Sequence, residues 1–169
     1  PYLVATPPRL ACDLNQLAAR YRDLLEIGRQ AGCNPTFEYI SFFGSASKLT
    51  HAWDVVRQVD DPDATLIYDS FHTWNSESSL QQLREIPAER ISHWHIDDAH
   101  PQMPATTQTD PNRVMPGDGQ IDLAAEIALM REIGYSGTVS LELFNPELWQ
   151  QDPAEVLKKG YERMQELFG

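Results

Sequence analysis

The chain has 169 residues, 41% of them hydrophobic, which is enough for one substantial core and indicates a single domain. The 25 Asp and Glu residues outnumber the 13 Lys and Arg residues, and the formal net charge of −12 would repel nucleic acid and anionic lipid. No stretch has the length and apolar character of a membrane span, and the first residues do not resemble a signal peptide. We therefore expect no nucleic-acid partner, no membrane association and a cytoplasmic protein.

Short apolar runs alternate with segments of helical periodicity along the chain. The apolar runs predict strands over residues 2–5, 37–40, 66–68, 91–96 and 138–144. The periodic segments predict helices from Asp13 to Gly32, over 49–59, around 80–86, over 121–133, and from Asp152 with Pro153 at its first position. The polar segment 97–119 is far longer than an ordinary α/β connection, and we interpret it as a lid.

Four of the predicted strands contain or end in a side chain that binds cations. These side chains are Glu38, Asp69, His95 and Glu142. Three carboxylates and one imidazole suit Mn²⁺, Mg²⁺ or Co²⁺ and also accommodate Zn²⁺. Because crowded carboxylates repel one another without a cation, we predict that all four bind one divalent metal ion. We expect His93 to be structural and to lie on the strand face opposite to His95.

Five βα units in strict alternation predict a parallel sheet with helices outside it. An open, doubly wound sheet and an eight-stranded barrel both fit this alternation. In an open sheet the strand ends spread along an edge, whereas in a barrel they converge on one axis. One ion can use all four ligands only if they converge. We therefore predict a TIM barrel, in which residues 1–169 form a single domain that lacks roughly the first three βα units.

Three further residues are candidates for substrate binding. His72 follows the third strand and could hydrogen-bond a hydroxyl or carbonyl group, although a solvated loop histidine fits the sequence equally well. Arg113 precedes the turn 116–119, whose glycines could aim the guanidinium inward. Trp74 is expected to form part of the pocket wall.

At these residues the chain resembles the xylose-isomerase-like family of sugar isomerases and epimerases. The resemblance rests on residues 37–38, 69–72, 93–95, 113–119 and 140–144. Within the family, the chain is most similar to members that isomerise keto-inositols, through residues 68–72, 95–98, 110–114 and 142–147. The resemblance implies a TIM barrel that binds one divalent ion through the four predicted ligands. It also implies that Glu38 and Glu142 move protons and that His72 and Arg113 contact substrate.

The predicted activity is isomerisation or epimerisation of a keto-polyol or keto-sugar through a metal-stabilised enediolate. One glutamate would remove a proton, and the other, or the same one, would return it at the adjacent carbon. A hydride shift would give the same product. The alternatives are a metal-dependent dehydratase acting on inosose or 3-dehydroshikimate and a non-catalytic carbohydrate-binding barrel. A related barrel endonuclease is disfavoured by the charge of −12. The sequence leaves open whether the protein is a homo-oligomer.

Overall fold

Seven strands are present in the structure, a computed structural model that describes residues 1–169. The strands are β1 (Tyr2–Ala5), β2 (Asn34–Phe37), β3 (Leu66–Asp69), β4 (Ile91–Ile96), β5 (Asp98–Ala99), β6 (Arg113–Val114) and β7 (Thr138–Leu141). Five of them form one parallel sheet in the order β1-β2-β3-β4-β7. Sheet order follows chain order without reversal, as in a TIM barrel, whereas a doubly wound sheet reverses at a switch point. The structure therefore has the predicted TIM-barrel fold, with five βα units.

Five α-helices connect or follow the strands. They are α1 (Leu14–Ala31), α2 (Leu49–Val59), α3 (Ser70–Asn75), α4 (Leu123–Glu132) and α5 (Pro153–Phe168). Asp13 accepts two backbone N–H groups at the start of α1, and Gly32 ends α1 in a left-handed conformation with φ 71°. Asp152 accepts the N–H of Ala154 at the start of α5, so the predicted boundaries at these positions are confirmed. None of the helices is both long and apolar enough to cross a membrane.

The second strand lies earlier than its sequence pattern predicts. It was expected over 37–40 but runs over Asn34–Phe37, where it pairs with β1 along its whole length. Tyr39 and Ile40 are buried even though they follow the strand. Their apolar character therefore reflects burial and not strand pairing, and Glu38 lies directly after β2 instead of within it.

The region after β3 also differs from the prediction. The helix expected around 80–86 is a 3₁₀ helix over Leu80–Glu85, and α3, a helix of six residues, was not predicted. A helix this short shows no apolar periodicity in the sequence. It begins where it does because the carboxylate of Asp69, at the end of β3, accepts the backbone N–H of His72.

The long polar segment 97–119 is folded back on itself. Within it, β5 and β6 form an antiparallel pair in which Asp98 opposes Val114 and Ala99 opposes Arg113. The chain leaves the sheet after β4, and this pairing brings Arg113 back to the same end of the sheet. Its action as a lid stays a prediction.

The core lies between the sheet and the helices and includes 27 buried hydrophobic residues. Tyr21 of α1 is buried there, and its hydroxyl contacts the carbonyl oxygens of Pro35 at 2.9 Å and Thr65 at 2.8 Å and the N–H of Thr65 at 3.0 Å. This hydroxyl connects α1 to the starts of β2 and β3. Burial raises the pKa of Tyr21 to about 12, so the phenol stays neutral.

Candidate metal centre

The four predicted ligands lie together at the carboxyl ends of the parallel strands. Asp69 ends β3 and pairs with His95 of β4, whereas Glu38 and Glu142 directly follow β2 and β7. The N–H of Glu38 donates to Ala5 at 3.0 Å and the N–H of Glu142 donates to Ile96 at 3.3 Å, so both residues continue the ladder by one bond. One ligand atom from each of the four residues lies within 4.8 Å of all the others. The convergence predicted from the sequence is therefore present.

His95 is bracketed by two of these carboxylates. Its Nδ1 atom lies 2.9 Å from Oε1 of Glu38 and 3.3 Å from Oε2 of Glu142. Burial alone would lower the pKa of His95, but hydrogen bonds to Glu142 and Glu38 outweigh it and raise the pKa to about 10. Burial raises the pKa of Glu38 to about 7. The carboxylates of the cluster therefore favour a positive charge between them, and a proton on His95 supplies part of that charge.

The donor set fits a divalent ion. Ligand atoms on opposite sides of one such ion are about 4–5 Å apart, and the atoms of this cluster are within 4.8 Å. Glu38, Asp69 and His95 are buried and Glu142 is half-buried, so the ion would have protein on most sides and one accessible side. Three carboxylate oxygens and one imidazole nitrogen suit hard or borderline cations. Binding of an ion by these residues stays a prediction, and the geometry supports it.

Arg113 reaches this cluster from β6. Its Nη1 atom lies 2.9 Å from Oδ2 of Asp69 and 3.3 Å from Oε2 of Glu142, and it also pairs with Asp97. The guanidinium is fully buried and lies over the ring of Phe71, with 4.9 Å from Cζ to the ring centroid. Burial would raise the pKa of Asp69, but the charge of Arg113, the backbone N–H of His72 and the charge of His95 together outweigh it, and the pKa is lowered. Arg113 thus helps to hold Asp69 ionised.

His72 is buried beside Arg113 and is not a solvated loop residue, so that interpretation of the sequence is wrong. Its Nε2 atom lies 3.0 Å from Nη2 of Arg113, and its Nδ1 atom lies 3.1 Å from Oγ of Ser41. Burial lowers the pKa of His72, which favours the neutral imidazole. Because a guanidinium can only donate, Nε2 accepts from Arg113, whereas Nδ1 faces both Oγ and the backbone N–H of Ser41, the latter at 3.4 Å.

Trp74 is not brought together with the four ligands. It lines a separate cavity of about 350 Å³, shared with Ile121, Asp122 and Glu126. The aromatic rings beside Arg113 are those of Phe71 and Phe144 instead. The prediction that Trp74 contacts substrate gains no support from this position.

The prediction that His93 lies on the strand face opposite to His95 is wrong. His93 and His95 are alternate residues of β4, and side chains alternate between the two faces of a strand with a period of two. They therefore share one face. The imidazole of His93 packs edge-on against Tyr2, with ring centroids 4.9 Å apart.

Three residues of the site were missed by the sequence analysis. Asp97 and Asp110 both pair with the guanidinium of Arg113, and Ser41 contacts His72. Asp110 precedes Arg113 by three residues, a spacing that brings side chains together within one turn and could have indicated the pair. Nothing in the sequence around Ser41 indicates its contact, which depends on the fold.

Parallel strands whose carboxyl ends converge on a carboxylate and histidine cluster define a TIM barrel with a candidate metal centre. Comparison with known proteins agrees with this class. The family described as xylose isomerase-like TIM barrel matches residues 4–167, and the chain belongs to this family.

Individual relatives within the family include isomerases and dehydratases. The chain is 33% identical over 141 residues to inosose isomerase of Bacillus velezensis, a match that covers 83% of this chain and 50% of the relative. It is 33% identical over 140 residues to 3-dehydroshikimate dehydratase of Pseudomonas aeruginosa, covering 82% of this chain and 21% of that protein. The chain spans about half the length of the inosose isomerases that it matches.

A solved structure in the family is that of the IolI protein with a bound zinc atom. It superposes on this chain with a TM-score of 0.91 at 27% identity, covering 98% of this chain and 62% of that one. The fold of the chain is therefore the fold of a protein that has been observed with a metal ion.

Proposed function

We propose that the chain is part of a divalent-metal-dependent isomerase that acts on a keto-inositol or a similar keto-polyol. The observation that carries this proposal is the convergence of four ligand atoms within 4.8 Å beside a buried Arg113 and His72. The inosose isomerase relatives and the zinc atom in the IolI structure support the substrate class and the metal. The hard donor set suits Mn²⁺, Mg²⁺ and Co²⁺ as well as Zn²⁺.

Glu38, Asp69, His95 and Glu142 would hold the ion, which when bound supplies Lewis-acid polarisation of a ketone oxygen and its neighbouring hydroxyl. Proton transfer then falls to the glutamates. The side chain of Glu142 is 29% exposed and that of Glu38 is 5% exposed, so Glu142 is the carboxylate that a substrate reaches more easily. We assign to Glu142 the removal of the proton from the carbon beside the ketone. Glu38, or Glu142 itself, returns it to the former ketone carbon, while the hydroxyl proton passes to the former ketone oxygen, so that the isomeric ketone forms.

Arg113 and His72 would bind and orient the substrate. The guanidinium of Arg113 lies beside Asp69 and Glu142, next to the position where substrate oxygens would meet the ion. All three of its nitrogens face acceptors in the structure, so a substrate oxygen would take the place of one of them, such as Glu142 at 3.3 Å. His72 accepts a hydrogen bond from Nη2 of Arg113 through Nε2 and so orients the guanidinium towards the substrate. The rings of Phe71 and Phe144 flank the guanidinium and exclude water from it, which strengthens its hydrogen bonds.

The activity is tested by proton exchange. The chain is incubated with Mn²⁺ and a panel of keto-inositols and ketohexoses in deuterated water, and incorporation of deuterium next to the ketone is followed by NMR. The Glu142→Gln variant should lose exchange while keeping its fold, and Glu147→Gln, which changes an exposed glutamate of the same loop, should keep it. Equal exchange by the Glu142→Gln variant would refute the role of Glu142. No exchange by wild-type protein with metal bound would refute proton transfer, and the absence of any isomerised product as well would refute the isomerase.

A dehydratase is the second candidate, because 3-dehydroshikimate dehydratase of Pseudomonas aeruginosa is as similar to the chain, at 33% identity, as the inosose isomerase is. Elimination would expel a hydroxyl group and leave a conjugated product that absorbs in the ultraviolet. Growth of this absorbance with inosose or 3-dehydroshikimate would favour the dehydratase. Whether the protein is a homo-oligomer stays open.

A further inference from the structure

Arg113 belongs to a long segment with little regular structure, yet its guanidinium is fully buried at the candidate metal centre. Ordering such a segment costs conformational entropy, and β5 and β6 contribute only two residues each to its pairing. Its return to the site needs a further restraint. That restraint is visible at Asp98, the first residue of β5.

The carboxylate of Asp98 is saturated by backbone donors. Its Oδ2 atom accepts the N–H groups of Gly117 and Gly119, each at 3.0 Å. Its Oδ1 atom accepts the N–H of Ile121 at 2.9 Å and that of Ala99 at 2.8 Å. Asp98 is 1% exposed, and no Lys, Arg or His forms an ion pair with it, so the whole charge is stabilised by these four bonds.

The turn between β6 and α4 is shaped around this carboxylate. A Cβ atom at Gly119 would collide with the carbonyl oxygen of Ala99 and with the carboxylate of Asp98. Gly117 has a φ of 86°, which side chains disfavour. The two glycines therefore permit the close approach that the hydrogen bonds require.

We propose that Asp98 is a positioning residue that fixes the turn 117–121 and thereby holds Arg113 among Asp69, Asp97 and His72. Asp98 touches none of the candidate ligands or the guanidinium in any hydrogen bond or ion pair of the structure, so it acts through the backbone. The expected effect of Asp98 on turnover rests on the proposed function. The expected effect of Asp98 on the position of Arg113 is independent of that function.

The first test measures position by NMR in the full chain. In wild-type protein, the amides of Gly117, Gly119 and Ile121 should be protected from hydrogen exchange, and the Arg113 side-chain N–H signals should be resolved from those of exposed arginines. The Asp98→Asn change turns one acceptor oxygen into an NH₂ group that faces N–H donors. We expect hydrogen exchange of the three amides to become at least about tenfold faster. The Arg113 side-chain N–H signals should shift to the position of the signals from exposed arginines.

Asp122→Asn is the matched control, since it removes the same charge next to this turn while asparagine can still cap α4. It should leave both the amides and the Arg113 signals unchanged. Unprotected amides in wild-type protein, or Arg113 signals that persist in Asp98→Asn, would overturn the proposal. If Asp98→Asn does not fold, Gly119→Ala tests the same displacement without changing charge, and persistence of the Arg113 signals in that variant would overturn it equally.

The kinetic test applies if the chain turns over a keto-inositol. Loosening Arg113 should raise the KM of Asp98→Asn by about tenfold and lower kcat less, because substrate binding is weakened whereas Glu142 keeps its contact with His95. A fall in kcat with an unchanged KM would contradict positioning through Arg113. A wild-type chain without activity overturns the proposed function alone, since the NMR test still decides the role of Asp98.

Discussion

Asp69 both ends the strand β3 and caps the helix that carries His72. Its Oδ1 atom accepts the backbone N–H of His72 at 2.6 Å, and its Oδ2 atom faces Nη1 of Arg113 at 2.9 Å. An aspartate at the end of a strand can either cap the helix that follows or bind a metal ion. In the structure Oδ1 caps the helix and Oδ2 faces Arg113 at the candidate metal centre. The capping hydrogen bond therefore orients the carboxylate of Asp69.

The two roles of Asp69 can be separated by substitution. Asparagine is an equally good N-cap, so Asp69→Asn should retain α3 and the fold but lose metal affinity by at least about tenfold, measured by calorimetric titration with Zn²⁺ or Mn²⁺. Asp69→Ala should lose the cap as well, at a further cost of about 1 kcal/mol in the free energy of unfolding. Unchanged metal affinity in Asp69→Asn would remove this residue from the ligand set. Asp13→Asn, at the cap of α1, is the control and should change neither quantity.

Metal binding should stabilise the folded chain. A ligand that binds only the native state at about 100 times its Kd adds about 2.7 kcal/mol to the free energy of unfolding. The melting temperature, followed by differential scanning calorimetry, should therefore rise with Mn²⁺ or Zn²⁺ and fall back with EDTA. The His95→Gln variant should show a much smaller rise. An equal rise in that variant would show that the ion binds elsewhere.

Glu126 should make stability depend on pH. It is buried in α4 and accepts a hydrogen bond from Oγ of Ser70 at 2.6 Å, and burial raises its pKa to about 7. A carboxyl group with a raised pKa favours folding while it is protonated, so its contribution is fully present below about pH 4.5 and is lost as the pH rises through 7.

Glu126→Gln should therefore be more stable than wild type at pH 8, by up to about 3 kcal/mol, and should lose this advantage at pH 4.5. Urea unfolding at the two pH values measures the difference. The exposed Glu155→Gln is the control and should show no such dependence. A difference between Glu126→Gln and wild type that is equal at both pH values would mean that burial does not raise the pKa of Glu126.

The hydroxyl of Tyr21 should contribute to stability through its contacts with Pro35 and Thr65. Tyr21→Phe leaves the buried N–H of Thr65 without this acceptor, which typically costs about 1–3 kcal/mol. The free energy of unfolding in urea measures the loss. Tyr161→Phe is the matched control, because Tyr161 is 64% exposed and its hydroxyl contacts only Gln165. Similar values for the two variants would show that the contacts of Tyr21 are not stabilising.

The parts of the fold that the sequence predicted are those with a local signal. Apolar runs and capping residues such as Asp152 mark strands and helix starts directly. The candidate ligands were found because Glu38 and Glu142 are charged residues with apolar neighbours, where an unpaired charge would be costly. Asp97, Ser41 and the role of Asp98 were missed because their partners lie on other elements, and only the folded chain brings them together.

The two outer strands of the parallel sheet, β1 and β7, are not paired with each other, and Tyr2, Leu3 and Val4 of β1 are each about half exposed. An uncovered strand of this kind presents a row of free N–H and C=O groups that templates the addition of another strand. We therefore expect the isolated chain to self-associate as its concentration rises, with β1 as the contact that seeds the aggregate.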